Sequence, residues 1–274
     1  MIVEVSFISV LVMFFAVDYI RGSYRGREYF TMRNMGVNLI GVAGVAVSRP
    51  LMAFLIGGLL VWVFPYSSGG LSSVDFSIVF IIYILLEDYL NYWLHRAAHV
   101  NKNLWLLHKV HHCPDTMDAT VVGRHSFVWW CMVPTAWLGA IVIWAGMGEV
   151  VVYASLIKGL VGILQHCNVR WDLRLLDNKY TRPFMWLYMR IIAVPDTHHY
   201  HHNLEGGEKN YGALFILWDL IHGTAVFPNR QVKNFGLYDK DEEDEWYVQV
   251  FQPFVRARKQ KSSNNIVINE TSNT

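Results

Sequence analysis

An all-α integral membrane bundle is the fold class this sequence predicts, and three observations carry the expectation. The 274 residues are 53% hydrophobic and only 16% charged, against about 25% charged in an ordinary soluble domain. Apolar runs close to the roughly 20 residues of a bilayer-crossing helix recur through the first two thirds of the chain. Arginines follow the first of these runs instead of preceding it. A net charge of +1 gives no reason to expect a nucleic-acid partner. Cys113, Cys131 and Cys167 form no C-x-x-C pair, which argues against a disulfide framework or a thiolate metal site and predicts buried thiols.

Residues 2–20, IVEVSFISVLVMFFAVDYI, read as the first membrane helix. A secretory leader would need positive charge ahead of the apolar run, whereas Arg21, Arg25, Arg27 and Arg33 lie behind it. Residues 36–64 predict a second span beginning near Val47, with Arg49 reaching back to the headgroups and Pro50 near the helix start. After the turn PYSSGG, residues 74–94 make a third span that runs directly into His95. Residues 127–147 make a fourth, and 149–166 a return helix that Lys158 leaves either spanning or partly immersed. That is about four to five membrane helices.

Beyond residue 166 an aromatic, interfacial helix is expected near 211–222 and an apolar-faced helix near 246–257. The acidic run at 239–245 reads as a solvated loop and the polar tail after Lys261 as disordered. Phe127, Trp129, Trp130 and Trp137 read as core or interfacial belt rather than as binding residues. The arginine bias puts the 21–35 loop in the cytoplasm and the amino terminus outside. Alternating the spans then places every histidine of the chain on the cytoplasmic side, in or beside a helical cap.

Those histidines carry the chemistry. His95 and His99 are spaced i, i+4 in HRAAH. His108, His111 and His112 are spaced i, i+3, i+4 in HKVHH, and His198, His201 and His202 repeat that spacing in PDTHHYHHN. On a helix such offsets bring side chains onto one face, with Cβ atoms roughly 5–6 Å apart. His125 in GRHSF and His166 in LQHCN stand at membrane boundaries on the same side, where they can complete a shell. One ion takes about four to six donors, so roughly ten imidazoles imply two metals with open or water-filled positions. His199 and His222 read as ordinary histidines outside the set.

Asp88 shares a helical stripe with Tyr92, His95 and His99. A carboxylate in such a place is costly and usually partnered. It is expected to accept the non-metal N–H of a ligating imidazole, fixing its tautomer. A carboxylate paired with a local arginine is the alternative.

H-x-x-x-H, then H-x-x-H-H, then a distal H-x-x-H-H, interleaved with membrane helices, resembles the fatty acid hydroxylase/sterol desaturase superfamily of membrane di-iron enzymes. EDYLNYWLHRAAH, LWLLHKVHH, GRHSF, QHCN, VPDTHHYHHN and NYGALFILWDLIHGT carry the likeness, over roughly residues 75–225. His222 and Ser126 depart from the pattern, where an aromatic residue and a proline are common. The resemblance implies that the eight clustered histidines bind metal, with His125 and His166 as additions, and that no catalytic side chain beyond the ligands is required. The apolar runs predict membrane helices over 1–70, the resemblance implies a catalytic domain over 71–258, and polar composition predicts a disordered tail over 259–274.

By the same resemblance the cofactor is two iron ions, for which zinc can substitute in a purified sample. The partners are O2, a membrane lipid such as a sterol or fatty-acyl lipid, and a separate electron donor: a cytochrome b5-like protein, a ferredoxin or a reductase. The reaction is hydroxylation or desaturation. Imidazole by itself suits iron, zinc and copper alike. A zinc-dependent membrane hydrolase, whose general base would be Asp88 or Asp196, therefore stays open beside a bis-histidine cytochrome and a non-catalytic metal-binding protein.

Overall fold

Apolar length decides the long elements. The computed structural model describes residues 2–21, 32–204, 208–237 and 246–255. Helices α1 (Ile2–Ile20), α2 (Met32–Val63), α3 (Phe76–Val100) and α4 (Lys102–His112) lead to a 3-10 turn over Ala119–Gly123. Then come α5 (Phe127–Met132), α6 (Pro134–Trp144), α7 (Gly148–His166), α8 (Trp171–Asp177), α9 (Arg182–Tyr188), α10 (Pro195–His202), α11 (Leu217–Ile221) and α12 (Trp246–Phe251). Four stretches are long and apolar enough to cross a membrane: Gly36–Val63, Phe76–Val100, Phe127–Trp144 and Gly148–His166. The chain is all-helical, with two isolated β-bridges among the described residues. Arg25, Arg27, the acidic run at 239–245 and the polar tail lie outside the described residues.

Several boundaries differ from the sequence expectation, each for a local reason. The second span does not begin near Val47: α2 runs unbroken through Pro50. Proline removes one N–H and crowds the preceding turn, but membrane helices tolerate this because neighbouring groups satisfy the freed carbonyls. Close packing holds α2 in place. A Cβ built on Gly41 would stand 2.2 Å from the Gly123 carbonyl oxygen, and one on Gly44 would stand 2.9 Å from Trp130. Small residues here let the helix backbone touch its neighbours.

The fourth span breaks into α5 and α6 because Val133 is extended and Pro134 opens the new helix. Near 211–222 only Leu217–Ile221 is helical. Residues 211–216 instead form an irregular, bent strap, in which side-chain carboxylates take backbone N–H groups a helix would use. Asp219 receives Tyr211 N (2.8 Å) and Gly212 N (2.7 Å), while Asp88 receives Leu214 N (3.0 Å) and Phe215 N (2.9 Å). The helix near 246–257 ends at Phe251, ahead of Pro253.

The main apolar core joins α3, α6 and α7 through Val79, Tyr83, Ile84, Val142, Val150, Val151 and Ala154, with Leu214 of the strap packed among them. Inside it sits a charged cluster. Lys158 of α7 pairs with both Glu87 and Asp88 of α3, and Thr135 of α6 donates to Glu87. Charges at this depth persist only when paired. Cys113 and Cys167 are buried and in no disulfide, as expected, and Cys131 is half-buried.

Candidate metal centre

Helical periodicity sorts the histidines into two groups. On α4 and α10 residues i and i+4 sit about 40° apart around the helix, while i+3 sits about 60° from i on the opposite flank of the same face. His108 and His112 therefore turn towards His95 and His99 of α3, while His111 turns towards His166 at the end of α7. On α10 the sorting is reversed: His201 joins the first group, and His198 and His202 join the second. Within each group one ring nitrogen from every residue lies within 4.8 Å of the others. Each H-x-x-H-H helix thus serves both groups.

In the second group the nitrogens form a ring. His198 Nε2 is 2.8 Å from His166 Nε2, which is 3.2 Å from His111 Nε2; His202 Nε2 closes the ring at 3.1 Å from both His111 and His198. Two neighbouring nitrogens bound to one ion at roughly 2.1 Å and a right angle stand about 3 Å apart. Hydrogen bonds cannot satisfy the whole ring. His166 Nδ1 donates to the Gly162 carbonyl at 2.6 Å, so its Nε2 carries no proton and can only accept.

The first group is held the same way. His95 Nδ1 donates to the Tyr211 carbonyl at 2.7 Å and His201 Nδ1 to the Lys209 carbonyl at 2.7 Å. That leaves the Nε2 lone pairs of His95 and His201 aimed inward, buried and without a protein partner, and His99 Nε2 is also buried without one. Buried acceptors are seldom left bare in a folded protein. Three lone pairs in one pocket fit a metal ion. A cavity of about 120 Å3 bordered by His99, Trp105, His112 and His202 lies against both groups.

Burial, and secondarily the neighbouring imidazoles, hold His108, His111, His112, His198, His201 and His202 well below the usual histidine range. They are neutral at pH 7, the form that binds metal. Burial pushes His125 the same way.

Nine of the ten histidines singled out in the sequence thus fall into the two groups. His125 does not: its ring stacks on His111 at 4.2 Å, with the planes 18° apart. His199 packs edge-on against Phe235, and His222 stacks on Tyr92, both outside the groups. Asp88 meets no imidazole. It accepts from Leu214, Phe215 and the Trp218 indole and pairs with Lys158. The task expected of it falls to main-chain carbonyls at Gly162, Lys209 and Tyr211, which no side-chain motif could reveal. Trp129, read as core or belt, lies against His108 at 4.4 Å and is buried.

A model of the fatty acid hydroxylase family matches residues 80–224, the stretch that contains all the grouped histidines. The chain belongs to the fatty acid hydroxylase family. Among similar curated proteins is an ornithine lipid hydroxylase of Rhizobium tropici, 27% identical over 65% of this chain and 51% of its own length. A methylsterol monooxygenase of Aspergillus fumigatus is 29% identical over 56% of this chain and 48% of its own. An alkylglycerol monooxygenase of Xenopus tropicalis is 24% identical over 61% and 33%. The chain spans about half the length of the first two of these relatives and a third of the last. No solved structure gives a significant match.

Proposed function

We propose that this protein is an O2-dependent di-iron hydroxylase or desaturase of a membrane lipid. The observation that carries the proposal is the double group of largely buried imidazoles at one end of the membrane-crossing helices. One iron would be held by His95, His99, His108, His112 and His201, the other by His111, His166, His198 and His202. His125 would support His111 from its stacked position. The relatives described as hydroxylases and monooxygenases support the reaction class.

Two bound irons supply what no side chain can: activation of O2 and removal of a hydrogen atom from an unactivated C–H bond. The chain's own residues set the stage. The carbonyls of Tyr211, Lys209 and Gly162 take the Nδ1 protons of His95, His201 and His166 and so direct their Nε2 lone pairs inward. Trp105 and Trp129 pack against rings of the first group and limit the entry of water. Electrons come from a separate donor of the cytochrome b5, ferredoxin or reductase kind. The site faces the cytoplasm, on the arginine bias after the first helix.

The hydrolase reading would need a carboxylate free to act as base. Both candidates are engaged: Asp88 as described, and Asp196 by Arg170 and the backbone N–H groups of Asn229 and Arg230. The deciding experiment compares the lipids of cells with and without the protein, in air and under anaerobiosis. A lipid with one added oxygen or two fewer hydrogens, formed only in air, is expected. An unchanged lipid profile, or a product formed equally without oxygen, overturns the proposal.

A further inference from the structure

Irregular backbone is normally kept out of a membrane, because lipid cannot satisfy its N–H and C=O groups. The strap before α11 departs from this. Asp88 stands at the midpoint of α3, seven residues and therefore about 10 Å deeper along the axis than His95, at 1.5 Å per residue. Its carboxylate nonetheless receives Leu214 N, Phe215 N and the Trp218 indole, each within 3.0 Å. Leu214 also packs among Tyr83, Ile84 and Ala154 of the membrane helices. The segment leading into α11 runs alongside the middle of a membrane helix.

Most of its backbone polar groups find partners within the protein, as that depth requires. Ile216 N donates to Ile191 O (3.0 Å), Ala193 N to Leu214 O (2.9 Å) and Gln165 to Ala213 O (3.2 Å). Trp218 packs on Tyr89, and His222 on Trp93, each pair with centroids 4.9 Å apart, which fixes α11 against α3. The outer face of α11 then presents Leu217, Leu220 and Ile221, the last 60% exposed. It continues the exposed apolar face of α3 formed by Ile82, Leu85 and Leu86.

The Ile192–Phe215 bridge joins this region to α9. There Phe184, Trp186 and Leu187 are all more than half exposed. The Arg190 guanidinium lies 3.5 Å from the Trp186 ring centre, and Arg182 and Lys179 flank the helix. Aromatic rings beside cations are the composition of a membrane–water boundary.

We propose that α11 lies within the bilayer and α9 at its margin, with the acyl chains of one leaflet covering their outer faces. The cap is then sunk alongside α3 and meets lipid directly.

The test uses the unmodified chain in phosphatidylcholine vesicles. One arm carries a photoreactive diazirine on an acyl chain, and the other generates hydroxyl radicals in the water. Adducts are located by mass spectrometry. Acyl-probe labelling of Leu220, Ile221, Phe184 and Leu187, comparable to that of Ile82 and Leu85, is expected, with hydroxyl-radical oxidation confined to sites such as the Lys102 and Lys233 regions. If α3 is labelled while α9 and α11 are oxidised from the water, the proposal fails. It fails equally if α3 is labelled and α9 and α11 are protected from both probes, which would mean that a protein surface covers them. If α3 itself escapes the acyl probe, the membrane reading falls, and this proposal with it.

Discussion

The rings of His112 and His202 lie flat on one another, centroids 4.3 Å apart and planes 18° from parallel, although they serve different nitrogen groups. This stack is the seam between the two halves of the centre.

His111→Ala removes one of four donors from the second group, and His201→Ala one of five from the first. Either variant is expected to insert in the membrane normally, to fall from two bound metals per chain towards about one, and to lose at least ~100-fold in lipid oxidation, beyond the 10–100-fold typical of changes outside the ligand shell. Elemental analysis of the purified protein beside product assay checks this. Full metal content with full turnover would remove the ligand assignment.

Asp88→Asn leaves Lys158 with Glu87 alone and turns an NH2 group towards backbone donors. Breaking a buried charge pair from one side costs about 3–5 kcal/mol. The variant should unfold at lower temperature and bind cobalt with a perturbed visible spectrum, since the strap it anchors carries the Tyr211 carbonyl that orients His95. An unaltered melting point and spectrum would show that the strap holds without it.

Acid should weaken the metal-free chain. Unfolded, each histidine titrates near 6.5. Folded, His108, His111, His112, His125, His198, His201 and His202 resist protonation to well below that, chiefly through burial. Below pH 6.5 the unfolded state binds more protons, so the stability present above that pH falls as pH drops, by up to ~1.4 kcal/mol per pH unit for each histidine. Denaturation midpoints in detergent should be flat from pH 8 to 7 and decline from 6.5 to 5; a midpoint that rises towards acid contradicts this.

Gly41→Ala places a methyl group 2.2 Å from the Gly123 carbonyl oxygen, where backbone must move on both sides. A loss of about 1–3 kcal/mol is expected, the usual range for overpacking. Gly58→Ala is the control, because nothing lies within 4 Å of its added carbon. Thermal unfolding of the two variants side by side should separate them by several degrees.

Where one physical rule acts alone, the sequence was readable. Apolar length located the third and return spans closely, since no turn chemistry competes inside them. Imidazole spacing picked out eight residues that do converge, because i, i+3 and i+4 leave little choice of face once a helix forms, and position at a membrane boundary added His166. His125 satisfied the same logic by position but stacks beside the groups, a packing outcome that spacing does not encode. Pro50, expected near a helix start, lies inside an unbroken α2, whereas the expected fourth span is interrupted where Pro134 opens α6. Asp88 was legible as a costly carboxylate, yet the backbone groups it receives lie more than a hundred residues away, on a strap that is not helical.

The way each H-x-x-H-H helix divides its rings has a genetic corollary. Inserting or deleting a single residue between His108 and His111 would rotate the later two rings by about 100° relative to the first. His111 would leave one half of the centre and His112 the other, so a frame-preserving indel of one codon in α4 would cripple both halves together. Substitution can erode this centre one ligand at a time, but a shift in helical phase cannot.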